Sequence, residues 1–283
     1  MNDGLRDFRP PVSGAGLGLR RDFLRDLDRQ PAADLPDFLE IAPENWMHLG
    51  GRYARDLRAI SERHPLLCHG LSLSIGGQAP LDADFLQRLR AFLDEHGVRA
   101  YSEHLSYTGD HGHLYDLLPL PLTEAAVRHV ADRVSRVQDA LGRRLILENV
   151  STYALPATDM SEADFVRAVL ERADCELLLD INNVYVNSIN HGFDAETYLD
   201  SLPGERIRYL HIAGHYVEAE DLRIDTHGDD VCDPVWALLD SAYRRFGVRP
   251  TLLERDFNIP PLPELLLEVT RIRQAQTRAT RHD

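Results

Sequence analysis

The sequence predicts an α/β fold, a TIM-type barrel of eight parallel strands, and three observations predict it. Short apolar runs alternate with longer amphipathic stretches from Gly14 to about Arg273, the pattern of parallel strands joined by helical crossovers. Eight such runs can be counted. Seven of the eight carry a carboxylate or imidazole near their carboxyl end, where a barrel of this kind builds its site. At 283 residues the chain exceeds the usual domain size, but α/β barrels run to this length as one unit.

The candidate strands are residues 16–20 (GLGLR), 37–41 (DFLEI), 65–73 (PLLCHGLSL), 100–106 (AYSEHLS), 144–150 (RLILENV), 176–182 (ELLLDIN), 207–213 (IRYLHIA) and 250–256 (PTLLERD). The helical signals between them agree. Leu86, Leu89 and Leu93 make an apolar stripe, and Val127, Val130, Val134, Val137 and Leu141 make a longer one behind Thr123, with Gly142 as the stop. Ser161 with Asp164 three residues on resembles a capping box, and Asp233-Pro234 opens a helix that ends near Gly247. Residues 1–13 are expected to form an N-terminal extension, 14–273 a single metal-binding barrel domain, and 274–283, rich in Arg and Thr, a frayed flexible tail.

The formal charge is 31 − 46 = −15. That balance argues against a nucleic-acid or anionic-membrane partner, and no concentrated basic run offsets it. The sequence contains no lysine, which excludes Schiff-base chemistry on a lysine. Cys68, Cys175 and Cys232 are odd in number and widely spaced, which suits a reducing compartment better than a disulfide framework. The first residues have no signal-peptide core, and no run reaches membrane-spanning length; a cytoplasmic protein is expected.

The polar residues at the strand ends are Glu40, His69, Glu103 with His104, Glu148, Asp180, His211 and Glu254. Strand alternation puts His69 on a face with Leu67, Glu148 with Ile146, Asp180 with Leu178 and Asn182, His211 with Tyr209 and Ile207, and Glu254 with Leu252. Cys68, Leu147, Leu179 and Leu253 then face the helices. Carboxylates and imidazoles left unpaired inside a barrel would each cost several kcal/mol, so they must be paired or hold metal. A buried arginine network is the competing account, but only Arg255 stands among these strand ends.

The stretch from Leu210 to Gly228 adds His215, Asp225 and His227, making nine candidate ligands with His69, His104, Glu148, Asp180, His211 and Glu254. That exceeds the three or four one catalytic zinc needs, so two or three ions are implied, with Glu148 the natural bridge. Nitrogen and oxygen donors without thiolate suit iron, manganese or zinc, and serve oxygen activation and dinuclear hydrolysis alike. Glu40, Asn45, Glu103, Asn149, Asn183 and His191 are expected to support these ligands or meet substrate. Glu40 and Asn45 could equally form the ordinary polar rim of a barrel mouth, and His191 could stabilise a turn. Residues 106–123 are a candidate cover for the site, with His111 and His113 expected to be solvated.

The motifs CHGLSLSIGG, YSEHLS, LLPLPLTEAAVRHV, LENVS, LLLDINNVYVNSINHG, YLHIAGH, IDTHG and PTLLERDFNIPPL closely resemble those of the multinuclear non-haem iron-dependent oxidases (MNIO), whose members include the methanobactin biosynthesis oxidase. The resemblance spans residues 14–273 and implies a barrel fold, two or three irons in Fe(II)/Fe(III) states and O2 as co-substrate. It implies action on cysteine, or a related residue, of a ribosomally synthesised precursor peptide. Bound as thiolate, that cysteine would lose hydrogen from its β-carbon and cyclise to a thiooxazole or oxazolone-type product. By the same resemblance His69, His104 and Glu148 would serve one iron. Glu148, Asp180, His211 and Glu254 would serve a second and form the catalytic centre. Asn182 (or Asn183), His215, Asp225 and His227 would serve a third. No peptide-recognition domain is evident, so a partner protein is expected to deliver the peptide. The alternatives are a metal-dependent hydrolase or isomerase on the same barrel, and a non-catalytic metal-binding scaffold for the peptide.

Overall fold

The computed structural model describes residues 10–27, 29–109 and 113–281. All eight expected strands form: β1 (Ala15–Gly18), β2 (Phe38–Ile41), β3 (Leu66–Gly70), β4 (Tyr101–His104), β7 (Ile146–Glu148), β8 (Glu176–Asp180), β9 (Ile207–Ile212) and β12 (Thr251–Leu253). Each pairs in parallel with the next along the chain, and β12 closes on β1 to complete the barrel. All but β2 stop short of the carboxyl ends of their sequence windows, yet His69, His104, Glu148, Asp180 and His211 still lie on the strands.

Around the sheet run α1 (Leu24–Leu27), α2 (Gly51–Ser61), α3 (Ala83–Glu95), α4 (Glu124–Leu141), α5 (Glu162–Ala173), α6 (Ile181–His191), α7 (Ala195–Asp200), α8 (Asp233–Phe246) and α9 (Leu262–Thr280). The caps follow local chemistry. Thr123 Oγ1 accepts from the Ala126 N–H at the start of α4, and Gly142 ends that helix in the left-handed region at φ 66°. Ser161 Oγ accepts from the Asp164 N–H at the start of α5. None of the described helices is long and apolar enough to cross a membrane.

Two apolar layers result. Phe38, Leu67, Ile146, Leu178, Tyr209 and Leu252 fill the barrel interior, with Val12 and Ala100 packed against them. Cys68, Leu147, Leu179 and Leu253 belong to the larger core between sheet and helices. Alternation fails at two of the positions assigned from it. Ile207 lies in the outer core because β9 carries an extra residue there: Leu177 pairs with Ile207 but Leu178 with Tyr209. Asn182 is not on a strand at all, since β8 ends at Asp180 and α6 begins at Ile181.

The expected frayed tail is corrected for residues 274–280, which continue α9. Val269, Ile272 and Ala275 extend its buried stripe, and Gln276 Nε2 donates to the carbonyls of Gly14 (3.0 Å) and Arg249 (3.1 Å). Most of the expected N-terminal extension, residues 1–9, lies outside the described residues, as do His111 and the last two positions. Two antiparallel hairpins interrupt the barrel pattern: β5 (Tyr107–Gly109) with β6 (His113–Leu118), and β10 (Tyr216–Ala219) with β11 (Leu222–Ile224). The first occupies the expected cover. No basic run is visible in the sequence, but Arg99, Arg143, Arg144 and Arg208 gather at the amino ends of the strands around a depression of about 440 Å³.

Candidate metal centre

β3, β4, β7, β8 and β9 deliver His69, His104, Glu148, Asp180 and His211 to one end of the barrel, and Glu254 follows β12 directly. His69 Nε2 lies 2.8 Å from Glu148 Oε2, and His104 Nε2 3.4 Å from the same oxygen. His211 Nδ1 is 2.9 Å from Glu254 Oε2 and 3.9 Å from Glu148 Oε1. His227 Nδ1 is 3.4 Å from Glu254 Oε2 and 3.2 Å from Asp256 Oδ2.

Three groups of ligand atoms follow, each within 4.8 Å: His69, His104 and Glu148; Glu148, Asp180, His211 and Glu254; His227, Glu254 and Asp256. Neighbouring groups share a residue, Glu148 and then Glu254. The first two coincide with sets expected from the sequence. The third does not: it contains Asp256, which was not a candidate. Asn182, His215 and Asp225 are instead connected to one another, since Asn182 Nδ2 donates to Asp225 Oδ1 (2.9 Å) and Asn182 Oδ1 lies 2.7 Å from His215 Nδ1. His227 joins the two arrangements, with Nε2 2.7 Å from Asp225 Oδ1 and Nδ1 toward Asp256. It is held at φ 48°, a left-handed conformation that costs energy for a residue with a Cβ.

The electrostatics of the cluster are unbalanced. Burial raises Asp180, and Glu148 beside it raises it further; burial also raises Glu148. Burial alone would lower the three imidazoles His104, His211 and His227, but the carboxylates around them hold all three above the ordinary histidine value. His69 is lowered to about 4, by burial and then by the adjacent His104. Glu254 falls well below its usual range against the effect of burial, because His211 and His227 flank it.

The donor set fits metal. Glu148 Oε2, Asp180 Oδ2, Glu254 Oε2 and both ring nitrogens of His211 are buried without a hydrogen bond of acceptable geometry. Arginine does not relieve them: Arg255 turns to Asp230 (2.7 Å) and Glu268 (3.2 Å), and Arg20 reaches only Asp256 at the rim. The arginine-network account therefore fails among the described residues.

The expected supporting residues divide. Asn149 brackets the Asp180 backbone, donating through Nδ2 to its carbonyl (3.0 Å) and accepting its N–H at Oδ1 (2.9 Å). Asn183 donates from its backbone to Asp180 Oδ1 (2.6 Å) and from Nδ2 to Glu148 Oε1 (3.4 Å), so Asn182 and Asn183 serve different groups. Glu103 accepts from the Tyr101 hydroxyl (2.9 Å) and places Oε1 3.7 Å from His104 Nδ1. Glu40 Oε1 lies 2.8 Å from His211 Nε2, and Oε2 accepts from the Tyr209 hydroxyl (2.8 Å).

Two expectations of support are not met. His191 Nε2 meets Thr152, 2.7 Å from its Oγ1 and 3.0 Å from its carbonyl, and so ties the end of α6 to a loop. Asn45 is exposed in the turn Pro43–Asn45, and no described hydrogen bond joins it to the cluster. Sequence reasoning also missed Ser151, whose hydroxyl donates to Asp225 Oδ2 (3.0 Å), and Tyr153, whose hydroxyl accepts the Asp225 N–H (3.0 Å). Asp256 could have been found from its spacing, two residues beyond Glu254; Ser151 and Tyr153 carry no such signal.

Residues 14–277 match the family model described as RiPP precursor modification enzyme MbnB/TglH/ChrH. A UPF0276 protein of Shewanella amazonensis is 61% identical over 94% of this chain and 96% of its own length. Among solved structures, 3-keto-D-glucoside 4-epimerase from E. coli aligns with TM-score 0.61 at 14% identity over 92% of this chain and 98% of that one. Endonuclease IV from Thermus thermophilus aligns with TM-score 0.59 at 15% identity, over 94% and 99% respectively. At such identities these likenesses establish the barrel alone.

Proposed function

This chain belongs to the MbnB/TglH/ChrH family of RiPP precursor modification enzymes, and from that membership we propose that it is a multinuclear iron-dependent oxidase. It uses O2 to modify cysteine, or a related residue, of a ribosomally synthesised precursor peptide. The observation that carries the reading is the run of three adjoining histidine–carboxylate groups sharing Glu148 and Glu254. One ion does not need three groups, whereas a multinuclear centre uses shared carboxylates to offset the repulsion between its metals.

His69, His104 and Glu148 would hold one iron, and Glu148, Asp180, His211 and Glu254 a second. A third has two cradles that meet at His227: Asp225, steadied by Asn182 with His215 beside it, or Glu254 with Asp256. Bound iron supplies the redox chemistry with O2. The chain places its donors on rigid strand ends, holds Asp180 through Asn149 and Asn183, and buries the cluster so that water is excluded. The β5–β6 hairpin stands where it can cover a peptide, and a partner protein delivers that peptide.

The first test is elemental analysis of anaerobically purified protein, then anaerobic iron loading and exposure to O2 with the precursor peptide. Two to three irons per chain and an O2-dependent mass change in the peptide are expected. Zinc or manganese at similar stoichiometry, with iron giving no O2-dependent product, would favour a hydrolase or isomerase instead. Asp225→Ala against Asp256→Ala decides the third cradle, since only the true ligand lowers the metal count by one.

A further inference from the structure

Beneath the cluster the apolar interior of the barrel is crossed by a polar thread. His69 Nδ1 lies 2.7 Å from Ser102 Oγ, Ser102 Oγ 2.7 Å from the Tyr209 hydroxyl, that hydroxyl 2.8 Å from Glu40 Oε2, and Glu40 Oε1 2.8 Å from His211 Nε2. Ser102, Tyr209 and His211 are 0–1% exposed and Glu40 4%, so water does not compete for these bonds. Polar groups are costly there, surrounded by Phe38, Leu67, Ile146, Leu178 and Leu252.

We propose that Glu40, Tyr209 and Ser102 are positioning residues that fix the tautomer of His69, so that its ring presents Nε2 to the metal centre. The inference rests on the reading of the cluster as that centre. It follows from direction. Hydroxyls both donate and accept. Tyr209 donates its hydrogen to Glu40 Oε2, while Glu40 Oε1 lies against His211. Tyr209, having donated to Glu40, accepts from Ser102. Ser102, having donated to Tyr209, accepts the Nδ1–H of His69. Its other acceptor, the Cys68 carbonyl, is more distant at 3.4 Å.

The thread thus leaves a lone pair on His69 Nε2, which faces His104 and Glu148. Donation of the remote N–H to a fixed acceptor also raises the donor strength of a metal-binding imidazole. The effect reaches His69 from Glu40 through two hydroxyls, although the described contacts include none between Tyr209 and His69.

The test uses metal-free full-length protein titrated with zinc(II) against a chromophoric chelator, with histidine-selective ¹⁵N NMR of the zinc-loaded state. Wild type should bind zinc through Nε2 of His69, with a slowly exchanging proton on Nδ1. Tyr209→Phe keeps the ring, which lies 5.4 Å from that of His211, and removes only the thread. It should weaken zinc binding about ten- to a hundred-fold, the range usual for lost outer partners, and shift the His69 Nδ1–H signal. Ser102→Ala, a smaller change should Tyr209→Phe fail to fold, should lose that signal to solvent exchange.

Binding of zinc through Nδ1 of His69 would overturn the proposal. So would Tyr209→Phe with zinc affinity and the His69 signal unchanged, or a disturbance confined to its ring neighbour His211. If wild type binds no zinc and no iron, the metal reading fails instead, and the proposal falls with it by a different result.

Discussion

Asp180 does two jobs that chemistry can separate. Its carboxyl caps α6 by accepting the Asn183 N–H, and its second oxygen is a buried donor of the central group. Asn caps a helix about as well as Asp but supplies no anionic ligand. Asp180→Asn should therefore keep stability to within about 1 kcal/mol and lose metal from the group shared with Glu148 and Glu254, as denaturation and elemental analysis would report. Loss of fold together with metal would show that the side chain is structural first.

Glu162 makes a second residue-level prediction. Burial raises its carboxyl to about 7, against the Tyr198 and Asn187 hydrogen bonds that lower it. Its folded value is raised, so the unfolded chain ionises first. The contribution is then complete below the unfolded value of about 4.5 and lost as pH climbs toward about 7. That is on the order of 2–3 kcal/mol. Urea denaturation at pH 5 and pH 8 should show Glu162→Gln losing less stability with rising pH than wild type does. Parallel losses would disprove the assignment.

At this scale the candidate ligands on strand ends were legible because alternation and strand termination both mark them. Asp256, two residues beyond Glu254, was missed because it lies past the strand window's last alternating ligand. The thread residues were not legible: Tyr209 reads as an apolar interior residue, and only the closed barrel brings it to Ser102, 107 positions earlier.

Among the elements, regular periodicity was readable and local exceptions were not. The Val127 to Leu141 stripe, with Thr123 and Gly142 at its ends, gives α4 its bounds from sequence alone. The hairpins carry no such pattern, since β5 and β11 have three residues each and β10 is exposed throughout. The extra residue in β9 is equally silent, because a bulge changes parity without changing composition. One element is nonetheless fixed by a single small residue. A Cβ on Gly214, between β9 and His215, would lie 2.1 Å from the Asp229 carbonyl oxygen and 2.5 Å from its carbon. Backbone atoms cannot step aside as a side-chain tip can. Gly214→Ala should cost about 1–3 kcal/mol and displace the loop that carries His215. Full stability and unaltered metal content in that variant would show that the loop tolerates the shift.

For the molecule as a whole, ionisable groups gather at both ends of the barrel, paired with arginine at one and largely without it at the other. Carboxylates and imidazoles crowd the carboxyl ends of the strands, while Arg99, Arg143, Arg144 and Arg208 collect at the amino ends. The sequence shows the total of −15 but not this polarity, because the arginines are scattered along the chain and meet only when the strands do. Since so much unpaired donor capacity is buried at one end, metal becomes part of the folding equilibrium. Ligand bound only by the folded state stabilises it by about 2.7 kcal/mol at a hundred times Kd. For a chain of this size that corresponds to a Tm difference on the order of 5–10 °C between loaded and chelated protein. The pH dependence has a definite sign. Without metal, the raised His104, His211 and His227 hold protons. Metal must displace these protons, so binding strengthens as pH rises. The imidazolium–carboxylate pairing that steadies the metal-free fold is meanwhile lost as pH passes the raised imidazole values. The difference in Tm should thus be wider at pH 8 than at pH 6, with protons released to a weak buffer on loading. An equal difference at both, with no proton release, would mean that the metal binds elsewhere than on this cluster.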